Sequence, residues 1–224
     1  MTDLNKKIKI ALKNKSPLAE INNIIDLASP EELNLKNSSC QTILNEVICC
    51  DEHDSYIEQV VSCLIERGAD VNSSNNGSWT PLYSACWYGH NDNRYNTVRK
   101  LINAGADLNL YLVESPLSEA AHVGATETVR LLLSRGAKVN ARNRYDGSTP
   151  LHTAIFYSRI DIIKCLISYG ADVNAATKYG ITPLHSFASN MPNFFVGKIL
   201  LDAGADVNYR SEERRVGKEC RSRW

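Results

Sequence analysis

The stretch Thr149-Pro150-Leu151-His152-Thr153-Ala154-Ile155-Phe156-Tyr157-Ser158-Arg159-Ile160-Asp161-Ile162-Ile163-Lys164-Cys165-Leu166-Ile167-Ser168-Tyr169-Gly170-Ala171-Asp172-Val173-Asn174 decides the reading of this chain. It opens on a helix start. A threonine hydroxyl can cap free amides, and proline suits the first helical position, where its missing N–H costs nothing. It closes on a helix stop, because glycine after an apolar helix takes the left-handed conformation that ends it. Two short apolar-periodic segments lie between, Leu151 to Tyr157 and Ile160 to Tyr169, with Ile162, Ile163, Leu166 and Ile167 on one face. Helices this short are marginal alone and must be stabilised by neighbours.

Both ends of the phrase recur. The stop reads Gly68-Ala69-Asp70-Val71-Asn72, Gly105-Ala106-Asp107-Leu108-Asn109, Gly136-Ala137-Lys138-Val139-Asn140, Gly170-Ala171-Asp172-Val173-Asn174 and Gly204-Ala205-Asp206-Val207-Asn208, at intervals of 37, 31, 34 and 34 residues. The start reads Thr80-Pro81-Leu82-Tyr83, Ser115-Pro116-Leu117, Thr149-Pro150-Leu151-His152 and Thr182-Pro183-Leu184-His185, with Thr42-Ile43-Leu44-Asn45 a weaker version. A period near 33 residues with this phrase resembles the ankyrin-repeat family from Thr42 to Asn208. The resemblance implies an all-α solenoid: L-shaped units of two antiparallel helices with β-hairpin fingers, stacked so that fingers and first helices line a concave side.

The domain reading follows from where the grammar weakens. Residues 1–41 read as a degenerate N-terminal capping repeat. Helices are expected over Leu4 to Leu12 and from Ser16-Pro17 to about Ala28, and Leu33-Asn34 resembles Val71-Asn72. Lysines 6, 7, 9, 13 and 15 would give it the polar outer face that end repeats need. Residues 42–209 hold about five repeats, the last incomplete. In the first two, four extra residues lengthen the inter-helix turn, within Asp51–Gln59 and His90–Thr97. Residues 210–224 carry no helix start and no apolar period, and resemble a translated sequencing-library adapter rather than native sequence. Setting them aside leaves 19 basic and 22 acidic residues from 25 of each, a net charge of −3. On this reading the natural chain continues past Tyr209.

Composition excludes several functions. Charge balance offers no basic field for nucleic acid. No signal-peptide core follows Met1, and no run nears the roughly 18 apolar residues of a membrane span. A cytoplasmic monomer is expected. The seven cysteines form no Cys-x-x-Cys pair and read as small reduced thiols rather than a zinc site. His53, in the acidic turn Asp51-Glu52-His53-Asp54, reads as a solvated loop residue. No phosphate loop or nucleophile elbow occurs. The Asp of each Gly-Ala-Asp phrase recurs once per repeat, too far apart for acid–base work. No catalytic, cofactor or metal site is therefore expected, and the chain reads as a non-enzyme. In the family, His152 and His185 would brace adjacent repeats.

Partner binding remains. Mapping the family onto the sequence picks two variable surfaces. One is the residue pair near the end of each first helix: Cys49 and Cys50, Trp87 and Tyr88, His122 and Val123, Phe156 and Tyr157, Ser189 and Asn190. The other is the finger before each Thr-Pro: Asn76 and Trp79; Arg144, Tyr145 and Ser148; Lys178, Tyr179 and Ile181. The candidates to bind a protein are Trp79, Trp87, Tyr88, His122, Arg144, Tyr145, Phe156, Tyr157, Lys178 and Tyr179, since rigid aromatics and Arg dominate interface energy. The partner's identity is not written in the sequence. Two other readings stand beside a free scaffold. One is a substrate receptor or regulatory subunit, of ubiquitin-ligase adaptor or kinase type, whose effector domain lies elsewhere. The other is a secreted effector of an intracellular microbe.

Overall fold

A computed structural model describes residues 3–14, 16–50, 54–75, 79–111, 113–189 and 194–209. The adapter-like tail, His53, Asn76 and Asn190 lie outside them. The regular elements among the described residues are all helices, with no strand, and none of them is long and apolar enough to cross a membrane. The chain divides into two compact units, Met1–Leu112 and Val113–Trp224.

In the first unit, helices α1 (Asp3–Lys13), α2 (Leu18–Asp26), α3 (Pro30–Leu33), α4 (Ile43–Ile48), α5 (Asp54–Glu66), α6 (Pro81–Trp87) and α7 (Tyr95–Asn103) follow in order. The first helices α4 and α6 pack side by side, as do α2, α5 and α7 behind them. The second unit holds α8 (Pro116–Val123), α9 (Thr126–Ser134), α10 (Pro150–Phe156), α11 (Ile160–Ser168), α12 (Pro183–Ser189) and α13 (Phe194–Asp202). Here α8, α10 and α12 form one layer, and α9 packs on α11 in the other.

The two phrases work as their chemistry predicts. Proline stands at the first turn of α6, α8, α10 and α12, and the hydroxyls of Thr80 and Ser115 accept from Tyr83 and Ser118 N–H at 3.1 Å each. Gly68, Gly105, Gly136, Gly170 and Gly204 all have φ between 83° and 93°. The following alanine N–H then reaches back to the carbonyl of a leucine five residues earlier, as from Ala171 to Leu166 at 3.0 Å, and satisfies a free helix-end carbonyl. Those leucines, Leu64, Leu101, Leu132, Leu166 and Leu200, have no exposed surface. They build the core with the leucines of the start phrase, Leu44, Leu82, Leu117 and Leu151.

The asparagine of three of the phrases bridges to the next phrase. Asn72 Nδ2 donates to Gly105 O at 3.2 Å, while its Oδ1 accepts from Asp107 N at 2.8 Å. Asn140 and Asn174 make the same two-way bridge to Gly170 and Asp172 and to Gly204 and Asp206. Asn34 makes it to Gly68 and Asp70, at 2.9 and 2.7 Å.

Of the two inter-helix insertions, the first departs from the expected longer turn and the second forms it. In the first copy the extra residues become helix: α5 has 13 residues, against 9 in α7, α9, α11 and α13. In the second they form a 3₁₀ turn, His90–Asp92, before α7. Gly89 there keeps φ −87°, and the left-handed residue is Asp92, at φ 64°. Helix α3, absent from the sequence reading, is set by a capping box between Ser29 and Glu32.

Candidate functional site

The helix-pair candidates occupy one kind of position, the C-terminal end of a first helix. Trp87 ends α6 and Tyr88 caps it; Phe156 ends α10 and Tyr157 caps it. Such residues leave the core because the apolar stripe of each seven-residue helix is already filled, by Leu82, Ala85 and Cys86 in α6 and by Leu151, Ala154 and Ile155 in α10. Phe156 is 58% exposed, Tyr157 42% and Trp87 36%. Tyr88 and His122 are half-buried, as are Cys49 and Cys50. Val123 is in the core and contributes nothing outward. Ser189 ends α12.

The finger candidates are positioned by polar residues at the finger base. Asn143 Oδ1 accepts from Tyr145 N at 2.7 Å, and Asn143 N donates to Ser148 O at 2.8 Å. Asn75 and Thr177 organise their fingers the same way, accepting from Trp79 N at 3.0 Å and from Tyr179 and Ile181 N at 3.2 Å. Adjacent fingers are tied by single backbone bonds, Arg144 N to Val113 O at 3.1 Å and Lys178 N to Asp146 O at 2.7 Å. Among the described residues the fingers are turn-closed loops, and no strand forms in them. They raise Tyr145 to 74% exposure and Tyr179 to 54%, with Arg144 and Lys178 beside them. Trp79 instead lies half-buried.

Ring contacts join Trp79 with Trp87 in the first unit and His122 and Phe156 with Tyr157 in the second. In the first unit Trp79 stacks on Trp87 with centroids 5.7 Å apart and tilts against Tyr83 at 5.4 Å. In the second, Tyr157 lies 4.3 Å from His122 and meets Phe156 edge-on at 5.0 Å. His122 is itself held by Glu119, Nδ1 to Oε1 at 2.7 Å, on a carboxylate that is nearly inaccessible.

A groove of about 210 Å³ opens beside the second group. Phe156, Tyr157 and Ile181 form its apolar walls, and Asp146, Thr153 and Ser186 its polar ones. Its floor includes His152, whose Nδ1 accepts from Thr149 N at 3.2 Å and whose Nε2 donates to Ile181 O at 3.1 Å. That bond ties α10 to the next finger, the brace expected of this histidine. Burial pushes the His152 pKa below its ordinary value, with the Ile181 carbonyl partly opposing.

The sequence reading named Ser148 and Ile181 but passed over Asp146, Thr153 and Ser186. A signal existed: Thr153 and Ser186 both follow the histidine of the start phrase, and Thr153 sits three and four residues before Phe156 and Tyr157, on the same helix face. Also missed were two polar anchors. Arg94 Nη2 donates to Cys50 O at 2.5 Å and Arg159 Nη2 to His122 O at 3.1 Å. Each lies four residues before a fully buried residue of its second helix, Val98 or Ile163. Lys9, read as part of a solvated basic face, pairs at 2.7 Å with Glu46, whose buried carboxylate also accepts from Asn37 at 2.6 Å. No group of three His, Cys, Asp or Glu side chains among the described residues could hold a metal ion.

Stacked helix pairs, joined by turn-closed fingers and stitched by a recurring asparagine, define a helical repeat protein. A sequence model of the family described as ankyrin repeats (3 copies) matches residues 9–112 and 117–211, and the chain belongs to the ankyrin-repeat family. Ankyrin repeats are protein–protein interaction modules. Among similar proteins, ankyrin repeat and SOCS box protein 5 of Bos taurus is 42% identical over 77 residues, covering 34% of this chain and 22% of that protein. Tyrosine-protein kinase HTK16 of Hydra vulgaris is 31% identical over 153 residues, 65% of this chain and 18% of the kinase. Human SMC5-SMC6 complex localization factor protein 1 is 30% identical over 96 residues, 41% and 8%. The chain therefore matches about a fifth, or less, of the length of these relatives.

Proposed function

We propose that this chain is a non-enzymatic scaffold that holds a partner protein on its first-helix ends and fingers. In the first unit Trp79, Trp87 and Tyr88 would carry the contact. In the second, His122, Arg144, Tyr145, Phe156, Tyr157, Lys178 and Tyr179 would. The observation that carries this reading is the exposure of Phe156, Tyr157, Tyr145 and Tyr179, four rings that the core does not need. Clustered exposed aromatics on a folded domain mark interaction sites. The binder would be a cytoplasmic monomer, with neither nucleic acid nor membrane as its target. The repeat array would run over 42–209, with residues 1–41 as a degenerate cap. The bridge from Asn34 to Gly68 and Asp70 supports that assignment.

Site-specific photocrosslinking tests it. A benzoylphenylalanine at position 87 or 156 should trap one discrete partner in cells, and the same group at Tyr169, on the second-helix side, should not. Equal labelling at all three positions would overturn the reading. A second reading makes this array the targeting part of a larger protein, of ubiquitin-ligase adaptor or kinase type. The similarity to a SOCS box protein and a tyrosine kinase, each several times longer than the matched stretch, favours it. The full transcript decides it.

A further inference from the structure

The groove beside Phe156 has a chemistry that narrows its occupant. Asp146 supplies the one charged side chain among its lining residues. Its Oδ1 is taken, accepting from Ser148 N at 2.9 Å and Ser148 Oγ at 2.8 Å, which fixes the carboxylate. Its Oδ2 has no partner among the described residues. Neither the Thr153 nor the Ser186 hydroxyl has a described hydrogen-bond partner, so three oxygen acceptors face the groove with no donor assigned to them. Nearby cations are occupied elsewhere. Arg142 Nη1 donates to the carbonyls of Gly147 and Ala176 at 3.1 and 2.7 Å, and Lys178 Nζ donates to Arg144 O. His152, on the floor, is held toward its neutral form by burial and has both ring nitrogens engaged.

The opposite walls are apolar. Phe156 and Tyr157 present rings and Ile181 a branched aliphatic chain. A site with one anchored carboxylate, two hydroxyl oxygens and aromatic walls suits a long aliphatic stem that ends in a cation. The stem would cover Ile181 and the rings, and the head would reach the oxygens. Ring faces favour the same charge. An anionic side chain would meet Asp146 head-on, and a purely apolar one would leave its charge desolvated and unpaired.

From this, and resting on the scaffold reading above, we infer that the groove between the second unit's fingers and α10 is an anchor pocket for one basic side chain, lysine or arginine, of a partner protein.

Blocked amino acids serve as probes, because they need no knowledge of the partner. Nα-acetyl methylamides of lysine, arginine, norleucine and glutamate would be titrated into the full chain labelled at threonine and isoleucine methyls. Lysine or arginine should shift the Thr153 and Ile181 methyl signals saturably, with the two arms separating ammonium from guanidinium preference. Norleucine should bind at least about fivefold more weakly, and glutamate should leave both signals in place. D146N keeps an oxygen where Oδ1 accepts from Ser148 and removes only the charge; it should bring lysine and arginine to the norleucine level. T153V, which leaves the finger untouched, should weaken them less. Equal binding of norleucine, binding of glutamate, unchanged affinity in D146N, or no saturable shift with any probe would each overturn the inference. Crosslinking at position 87 or 156 reads out separately. If a discrete partner is trapped while D146N does nothing to the probes, the anchor pocket falls and the scaffold reading stands.

Discussion

Arg159 donates from its guanidinium to the backbone carbonyl of His122, 37 residues earlier, at 3.1 Å. The bond ties the inter-helix turn of one repeat to the end of the previous repeat's first helix, which is also where the candidate ring cluster sits. The guanidinium lies so close to Gly124 that a Cβ built there would come within 2.8 Å of it. Arg94 does the same job in the first unit, reaching Cys50 O. Arg159→Ala leaves a helix-end carbonyl without its charged donor, and the full chain should lose about 1–3 kcal/mol of stability. Gly124→Ala should cost a similar amount by displacing the same side chain and straining a backbone at φ 83°. Urea unfolding of the two single variants and the double checks this. A shared cause predicts that the double variant costs clearly less than the sum of the two.

Ser158 stands where the preceding repeat has Gly124, and it keeps the left-handed backbone, at φ 54°. A side chain there costs roughly 1 kcal/mol or more, partly offset by the extra freedom glycine brings to the unfolded chain. Ser158→Gly should therefore raise stability by about 0.5–1 kcal/mol. Thermal or urea denaturation reads this directly, and a loss of stability would show that the serine hydroxyl matters more than the strain.

Much of this architecture is legible in the sequence, for a physical reason. Helix starts and stops depend on a few local chemistries, so Thr149-Pro150 and Gly170 identify the ends of α10 and α11 without knowledge of anything distant. What local chemistry does not encode is what a residue meets in the next repeat. Arg94 and Arg159 look like exposed turn residues, yet their partners lie 44 and 37 positions away. The four extra residues of the first repeat could extend either the turn or the helix. Once extended, α5 gains Ile57, which is fully buried, and Tyr56, whose hydroxyl donates to Ser16 O at 3.0 Å, which favours helix. The exposed rings were legible because they sit at helix ends outside the apolar period. The groove was not, since Asp146, Thr153 and Ser186 come from three elements that only folding brings together.

His152 makes stability depend on pH. Its native pKa is lowered, chiefly by burial, so the unfolded chain binds the proton more readily. The contribution of the neutral ring is complete above the ordinary imidazole pKa of about 6.5 and is lost as pH falls through the depressed native value. Protonation would also oppose the bond that Nδ1 accepts from Thr149. Asn45 fills the equivalent position in the first repeat, bridging to Ser73 O at 2.9 Å, which makes asparagine a reasonable non-titrating substitute. Between about pH 7.5 and 5, the parent should lose more stability than His152→Asn. Parallel unfolding curves with the same slope across that range would show that His152 is not the group responsible.

The two possible roles of Phe156 separate in one pair of measurements. Its ring is 58% exposed, and its described ring contact is an edge-on approach to Tyr157 at 5.0 Å. An aromatic pair of this kind contributes about 0.5–1.5 kcal/mol beyond its burial. Phe156→Ala should accordingly cost no more than about 1.5 kcal/mol, whereas Leu151→Ala, five residues earlier and fully buried, should cost about 2–5 kcal/mol. If Phe156 is an interface anchor, the same variant should weaken binding of the crosslinked partner, once identified, by about 30-fold or more, which is the effect of losing some 2 kcal/mol at a hot spot. The contrast matters more than either number. A stability loss as large as that of Leu151→Ala would place the ring in the core in solution. Unchanged stability with unchanged binding would move the contact surface toward the fingers, where Tyr145 and Tyr179 are the next residues to truncate.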